Sequence, residues 1–384
     1  MIYLDNCATT KIREKVLQKM YRALDEDFGN PSSLHRLGLK SEKKIEEARG
    51  IIANYLKVDR REVFFTSGGT ESNNIAIQSI INNSYGKRNH IITTKIEHPS
   101  ILNVFKYYEE QGYGVSYLDV DKSGNIKMEE LKECIKENTI LVSIIHVNNE
   151  IGTIQDIKNI KKIILEKNPH TLLHVDGVQS FGKIDFSLKD LGVDTYSFSG
   201  HKIHGPKGIG AIYIRKGLNL KPISFGGNQE KGLRSGTENV AGIIGLGEAT
   251  RILSNVYMDE IEYVKGLRNY LVEKIQGEIK DVKINTNLDD STSPYVLSIS
   301  FLNTRGEVLL HYLEDKDIYV STTSACSSQG TEKSHVLKSI GLTDQEIEGT
   351  IRICFSYENT REDMDYLVEI MKSSVDEIRS IIMR

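Results

Sequence analysis

Two groups able to react stand at the ends of neighbouring apolar runs. Thr171–Val175 ends on Asp176, and Thr195–Phe198 runs into Ser199-Gly200-His201-Lys202, placing acid and amine 26 positions apart. In a parallel α/β sheet such groups collect just past the carboxyl ends of strands, and that separation suits a single crossover. A plain ion pair is one reading. The chemical reading is a pyridoxal phosphate (PLP) site: a lysine holds the aldehyde as a Schiff base, and a carboxylate on the pyridine nitrogen makes the ring an electron sink. That reading demands further parts: a phosphate cradle, a group over the ring, a donor to the ring hydroxyl and a clamp for a substrate carboxylate.

Each part has a candidate. The run Glu62–Ser67 feeds Gly68-Gly69-Thr70 at the start of a helical pattern, where free N–H groups and the helix dipole suit a phosphate. It matches neither the Walker nor the dinucleotide pattern, and a tight turn explains Gly-Gly-Thr as well. His98 follows the strand-like His90–Thr94; there an imidazole can stack on a ring and shuttle protons, or simply cap a helix. Asn149 follows the apolar Ile140–Val147, as a ring-hydroxyl donor or a turn former. Arg352, inside Thr350–Cys354, can fork onto a carboxylate or serve a structural salt bridge. Phe225–Asn239 combines glycines with Lys231, Arg234, Ser235 and Thr237, the chemistry of an anion site.

The elements that must position these groups are legible in outline. Lys11–Asp25 and Ser41–Leu56 carry helical apolar periodicity, and Asp156–Lys167 is a helix between two strands. With 384 residues the expectation is about two domains. The character changes near Met258: a helix Asp259–Ile275, strands at Tyr295–Phe301, Ile318–Ser321 and Gly349–Phe355, and a closing helix from Thr360 make a smaller α+β unit. The division expected is 15–257 as the large domain, with 1–14 and 258–384 as the small one. Asp119–Glu130 matches an EF-hand calcium loop at five positions, but GVSYL before it alternates like a strand, so a strand–turn–helix connection is the better reading.

A charge balance of 49 basic against 53 acidic residues argues against nucleic acid or an acidic membrane surface as partner. The opening MIYLDNCATT lacks a basic start, so a secretory signal is not expected, and a reducing cytoplasm with free thiols is. The four cysteines have no ligand spacing, and no metal site is expected. Cys326 differs from the other three. It sits in the small, polar Ser321–His335, which reads as an exposed loop, where a thiol is a liability unless it reacts.

Taken together, YLDNCATT, GNPSSLHRLG, FTSGGTESNN, TTKIEHPS, HVNNEIGT, HVDGVQSFGK, SFSGHKIHGPKG, GLRSGTEN, SACSS and TIRICFS resemble, in order and spacing, the cysteine desulfurases of aminotransferase class V. The resemblance implies PLP fold type I: an α/β large domain with a mostly parallel sheet plus a smaller α+β domain. It implies Lys202 as the Schiff-base lysine, Asp176 on the pyridine nitrogen, Gln179 and Asn149 on the ring oxygen, and His98 over the ring. Gly69, Thr70, Ser199 and His201 would hold the phosphate, with Thr237 reaching the phosphate of a partner subunit in a homodimer. Arg352, helped by Asn30, would hold the carboxylate of L-cysteine. Cys326 would accept the sulfur; whether it also serves as a transient iron–sulfur ligand the sequence leaves open. The sulfur would pass to an iron–sulfur scaffold or a tRNA-thiolation enzyme. Other class V chemistries, such as a selenocysteine lyase or an aminotransferase, share Lys202 without needing Cys326, and a non-enzymatic calcium-binding protein is the remote alternative. Cys7, Gly69 and Gly177 depart from residues frequent in relatives, without removing a reacting group.

Overall fold

A computed structural model of the chain describes residues 1–84, 88–322 and 333–382. Strand β1 (Ile2–Tyr3) opens the chain, and β2 (Val63–Thr66), β3 (His90–Thr94), β4 (Gly114–Leu118), β5 (Thr139–Ile145), β6 (Leu172–Asp176), β7 (Thr195–Ser199) and β8 (Gly210–Ile214) follow. The last seven form one sheet in the order β2-β8-β7-β6-β5-β3-β4. Pairs β7–β6, β6–β5, β5–β3 and β3–β4 are parallel, while β8 runs antiparallel to both β7 and β2. Six strands therefore share one direction, and the carboxyl ends of β2, β3, β5, β6 and β7 open onto one edge.

The central strands explain that arrangement. In β5, Thr-Ile-Leu-Val-Ser-Ile-Ile, every residue is buried, as a strand covered by helices on both faces must be. The covering helices include Arg36–Leu56 and Ile157–Lys167, whose Ile45, Ile52, Ile160 and Ile164 join Val142, Ile144, Val175 and Phe198 in one core.

A second sheet, β12-β13-β10-β9, is built from β9 (Val282–Ile284), β10 (Val296–Phe301), β12 (Ser321–Thr322) and β13 (Thr350–Cys354). Strand β11 (Ile318–Tyr319) pairs with β1. This unit has its own core, in which Ile2 and Leu4 from the N-terminus pack with Leu297, Ile351 and Phe355.

The join between the units differs from the sequence expectation. Residues Val240–Glu278 form one helix of 39 residues, so no new helix starts at Asp259. Its first half packs Ile243, Leu246 and Leu253 into the large core, and its second half packs Val264, Leu267 and Leu271 into the small one. Uninterrupted backbone hydrogen bonding carries the helix across the change in partner. Asp119–Glu130 is the turn after β4 and the first residues of the helix Met128–Cys134; Asp119 pairs with Lys95 at 2.5 Å, and Asp121 accepts from the backbone N–H groups of Ser123 and Asn125.

Candidate active site

The sheet edge holds a cavity of about 480 Å³. Its floor is made by strand ends. Asp176 closes β6 and is buried; Oδ1 accepts from the Val178 N–H at 3.0 Å and Oδ2 from Asn73 Nδ2 at 2.9 Å. Past β7 the chain makes one tight turn, Gly200–Lys202, which aims Lys202 back across the cavity. Its Nζ donates to the carbonyls of Cys7 and Ala8 at 2.5 and 2.8 Å. Burial, together with the nearby Lys183 and Arg352, lowers the amine from 10.5 to about 8. A lysine tuned this way carries a usable neutral fraction near neutral pH and is correspondingly nucleophilic.

One wall is the start of helix Gly69–Asn83, fed by β2. Its first N–H groups have no partner within the helix, and they face the cavity through Gly69 and Thr70. The turn is tight: a Cβ on Gly210 would lie 2.7 Å from the Gly68 Cα, and one on Gly69 would lie 2.6 Å from Val178 Cγ2. Ser199 and His201 line the same end. Burial and the cations Lys202, Lys207 and Lys183 lower His201 to about 4, so it is neutral, with Nδ1 3.2 Å from Thr9 Oγ1.

His98 caps helix Pro99–Glu110 and stands at the cavity rim. The protein packed around its ring lowers its basicity; Asp176 pulls the other way, and Lys202 and His335 reinforce the lowering. Asn149 lines the cavity and offers its carbonyl to Arg352 at 3.1 Å.

The roof comes from the second unit. Arg352, buried on β13, pairs with Asp5 at 2.9 Å. A bridge between Asp5 and Cys354 lays the N-terminal segment along β13. Cys7 and Cys354 are buried and in thiol contact. Burial works to raise the Cys7 thiol, but its bond to Cys354 and the cations Lys183, Arg352 and Lys202 outweigh that and bring it below its usual range; burial and Cys7 push Cys354 up.

The cavity thus gathers Gly69, Thr70, His98, Asn149, Asp176, Gln179, Ser199, His201, Lys202 and Arg352. Gln179 is already engaged at both ends, donating to the Cys7 carbonyl and accepting from Lys183, each at 2.9 Å. Two expected residues lie elsewhere. Asn30 is exposed and caps its own loop by accepting from the Ser32 N–H, and Thr237 is exposed before the long helix. Cys326 lies outside the described residues. Lining residues that the sequence reading did not assign to the site include Asp5, Asn73 and Ser100. Asn73 had a signal, since it falls one helical turn after Gly69 and so shares its inward face.

The aminotransferase class-V family description matches residues 2–367. The chain belongs to that family. Among class-V relatives, the cysteine desulfurase IscS of Clostridium botulinum (strain Hall) is 42% identical over 381 residues, covering 99% of this chain and 96% of that one. The protein of the same description from Escherichia coli O139:H28 is 42% identical over 385 residues, covering 99% and 94%. Among solved structures, a NifS-like protein superposes with a TM-score of 0.93 at 40% identity, covering 98% of this chain and 99% of that one. The structure described as SspA in complex with cysteine gives 0.82 at 34% identity, covering 94% and 100%.

Proposed function

We propose that this protein is a PLP-dependent cysteine desulfurase that converts L-cysteine to L-alanine and passes the sulfur to Cys326 as a persulfide. The observation that carries the reading is the convergence of Asp176, Lys202 and Arg352 in one cavity, from two parallel strand ends and a strand of the other unit. The residues suit the coenzyme. Two N–H donors fix the Asp176 carboxyl as an acceptor beside the place of a pyridine N–H, and a lysine lowered to about 8 matches an aldehyde. The open N–H groups at Gly69 and Thr70, where Val178 leaves no room for a larger residue, form a cradle for a phosphate. The cavity volume lies within the range of small-ligand sites.

Bound there, PLP supplies an electron sink conjugated with the substrate amine. The chain's own groups do the rest. Asp176 would accept from the pyridine N–H. Arg352 receives the substrate carboxylate, with Asp5 fixing the plane of its guanidinium. Lys202 Nζ takes the proton from the substrate Cα, and His98 handles a proton at the rim. The Cys326 thiolate attacks the substrate sulfur; the S–S bond forms as the Cβ–S bond breaks, and the departing three-carbon unit is protonated to alanine. The balance is cysteine plus thiol giving alanine plus persulfide, with no outside oxidant.

A homodimer completes the reading. Thr237 is exposed and does not line its own cavity, which suits a residue serving a partner's phosphate, and the exposed apolar side chains Leu17, Tyr21, Leu24 and Phe28 suit coverage by a second copy. The large domain of 15–257, the small domain of 1–14 and 258–384, a cytoplasmic location and delivery of sulfur to an iron–sulfur scaffold or tRNA-thiolation enzyme belong to the same proposal. Among the described residues no helix is long and apolar enough to cross a membrane. Borohydride reduction of the yellow holoprotein should fix the coenzyme on Lys202, and Cys326→Ser should keep the colour while losing sulfur release from cysteine. A colourless protein with no adduct, or full turnover by the variant, overturns the reading.

A further inference from the structure

From the cavity lining inward runs a chain of polar side chains with a fixed sense of donation. Asn73 Nδ2 donates to Asp176 Oδ2 and to Ser100 Oγ, each at 2.9 Å. A carboxylate only accepts, so this orientation of the amide is the one Asp176 requires, and Asn73 Oδ1 is left facing His174 Nε2 at 3.1 Å. His174 must then carry its proton on Nε2 and accept on Nδ1 from the Thr195 hydroxyl at 2.8 Å. Burial lowers His174 to about 3, in keeping with the neutral ring this bonding needs.

The other arm leads to the rim. Ser100 Oγ, having accepted from Asn73, has its hydrogen free for His98 Nδ1 at 2.8 Å. The Ser100 backbone N–H points at that same nitrogen at 3.1 Å, and a backbone N–H can only donate. His98 Nδ1 is therefore an acceptor, and the proton of the neutral ring sits on Nε2. Taking a second proton on Nδ1 would break both bonds and uncap the helix Pro99–Glu110.

We propose that Asn73 is a positioning residue that fixes Asp176 and, through Ser100, His98 at once, so that the neutral His98 ring presents Nε2–H to the substrate as a hydrogen-bond donor. The inference rests on the function proposed above and deepens it by giving the rim histidine a direction. In this site Lys202 Nζ is the group that takes a proton, and His98 Nε2–H keeps its proton and hydrogen-bonds the substrate fragment or sulfur. The ring can serve as a base only at the expense of its cap.

Nitrogen-15 NMR of histidine-labelled apo- and holoprotein tests the tautomer, with the His98 signals assigned through His98→Gln. The expected spectrum shows protonated Nε2 and an unprotonated, hydrogen-bonded Nδ1 at neutral pH; a proton on Nδ1, or an imidazolium, overturns the donor role. Asn73→Ala should lower kcat about 10- to 100-fold, as loss of outer partners does at other sites, with little change in KM. It should also move the pH at which the bound coenzyme changes colour, because Asp176 loses a donor. Ser100→Ala should lower kcat but leave that pH in place, since only the His98 arm is cut. A folded Asn73→Ala with wild-type kcat, colour transition and His98 signals overturns the positioning role. Should that variant fail to fold, the wild-type tautomer and the Ser100→Ala profile still decide. A borohydride adduct on Lys202 together with the wrong His98 tautomer sinks this inference alone; the absence of any adduct sinks the parent reading.

Discussion

The floor and the roof of the cavity are built in opposite ways. Every floor group sits at the end of a strand or the start of the helix that follows it, and the parallel register alone brings them together: Asp176 lies beside Ser197 in the β6–β7 pairing, three residues before the turn that carries Lys202. The roof has no such local logic. Arg352 meets Asp5 across 347 positions, and the contact exists because the N-terminal segment lies along β13 and pairs β1 with β11. Repetition of one supersecondary unit places the floor; closure of the chain's two ends places the roof. The floor is consequently part of the large core, while the roof belongs to the second core, with the part-buried Arg352–Asp5 pair joining it to the N-terminal segment.

Substitutions can break this contrast at either side. Lys202→Ala removes the reacting amine itself and should lower kcat by about 10³-fold or more, the upper range for a group that transfers a proton in the reaction. Its thermal unfolding should change little, since among the described residues Lys202 Nζ bonds the carbonyls of Cys7 and Ala8. If turnover survives, the floor is not where the chemistry happens. Arg352→Ala strands Asp5 beneath the roof; breaking a buried pair at the substrate clamp should lower kcat/KM about 10²- to 10³-fold, chiefly through KM. An unchanged KM for cysteine would mean that the roof does not hold the substrate carboxylate.

Smaller effects should sharpen the floor's rigidity. A Cβ on Gly177 would lie 1.9 Å from the Tyr196 ring, and Tyr196 is wholly buried with its hydroxyl 2.6 Å from Ser180 Oγ. Gly177→Ala should cost about 1–3 kcal/mol in urea unfolding; no loss would show that the floor yields. The same rigidity has a pH signature. Burial holds His146 and His174 neutral down to about 3. The unfolded chain protonates these histidines near 6.5 and the folded one refuses until about 3, so the unfolded state binds more protons throughout that window. Stability should therefore fall as pH drops from about 6.5 toward 3, read as a lower urea midpoint at pH 5 than at pH 7. A midpoint that rises on acidification would contradict the buried neutral network.

Legibility follows the same divide. The floor could be read because strand-end chemistry leaves local marks: an apolar run that ends on Asp176, a Gly-Gly-Thr after β2, an imidazole one residue before the proline that starts a helix. Asn73 and Ser100 were missed because each looks like an ordinary polar residue near a helix start; only burial reveals that their side chains have nowhere to turn but toward Asp176 and His98. The unbroken helix Val240–Glu278 was missed for a related reason, since a change of packing partner imitates a boundary in the pattern of apolar residues. By itself the sequence determined the alternation of strands and helices, the reactive types and the family they resemble, because hydrophobic period and turn chemistry are properties of neighbours along the chain. Only the tertiary structure decided that Asp5 faces Arg352, that Lys202 is lowered to about 8, and which nitrogen of His98 keeps its proton. Those outcomes depend on desolvation and on donors supplied from elsewhere in the fold, and neither is a property of any stretch of chain read alone.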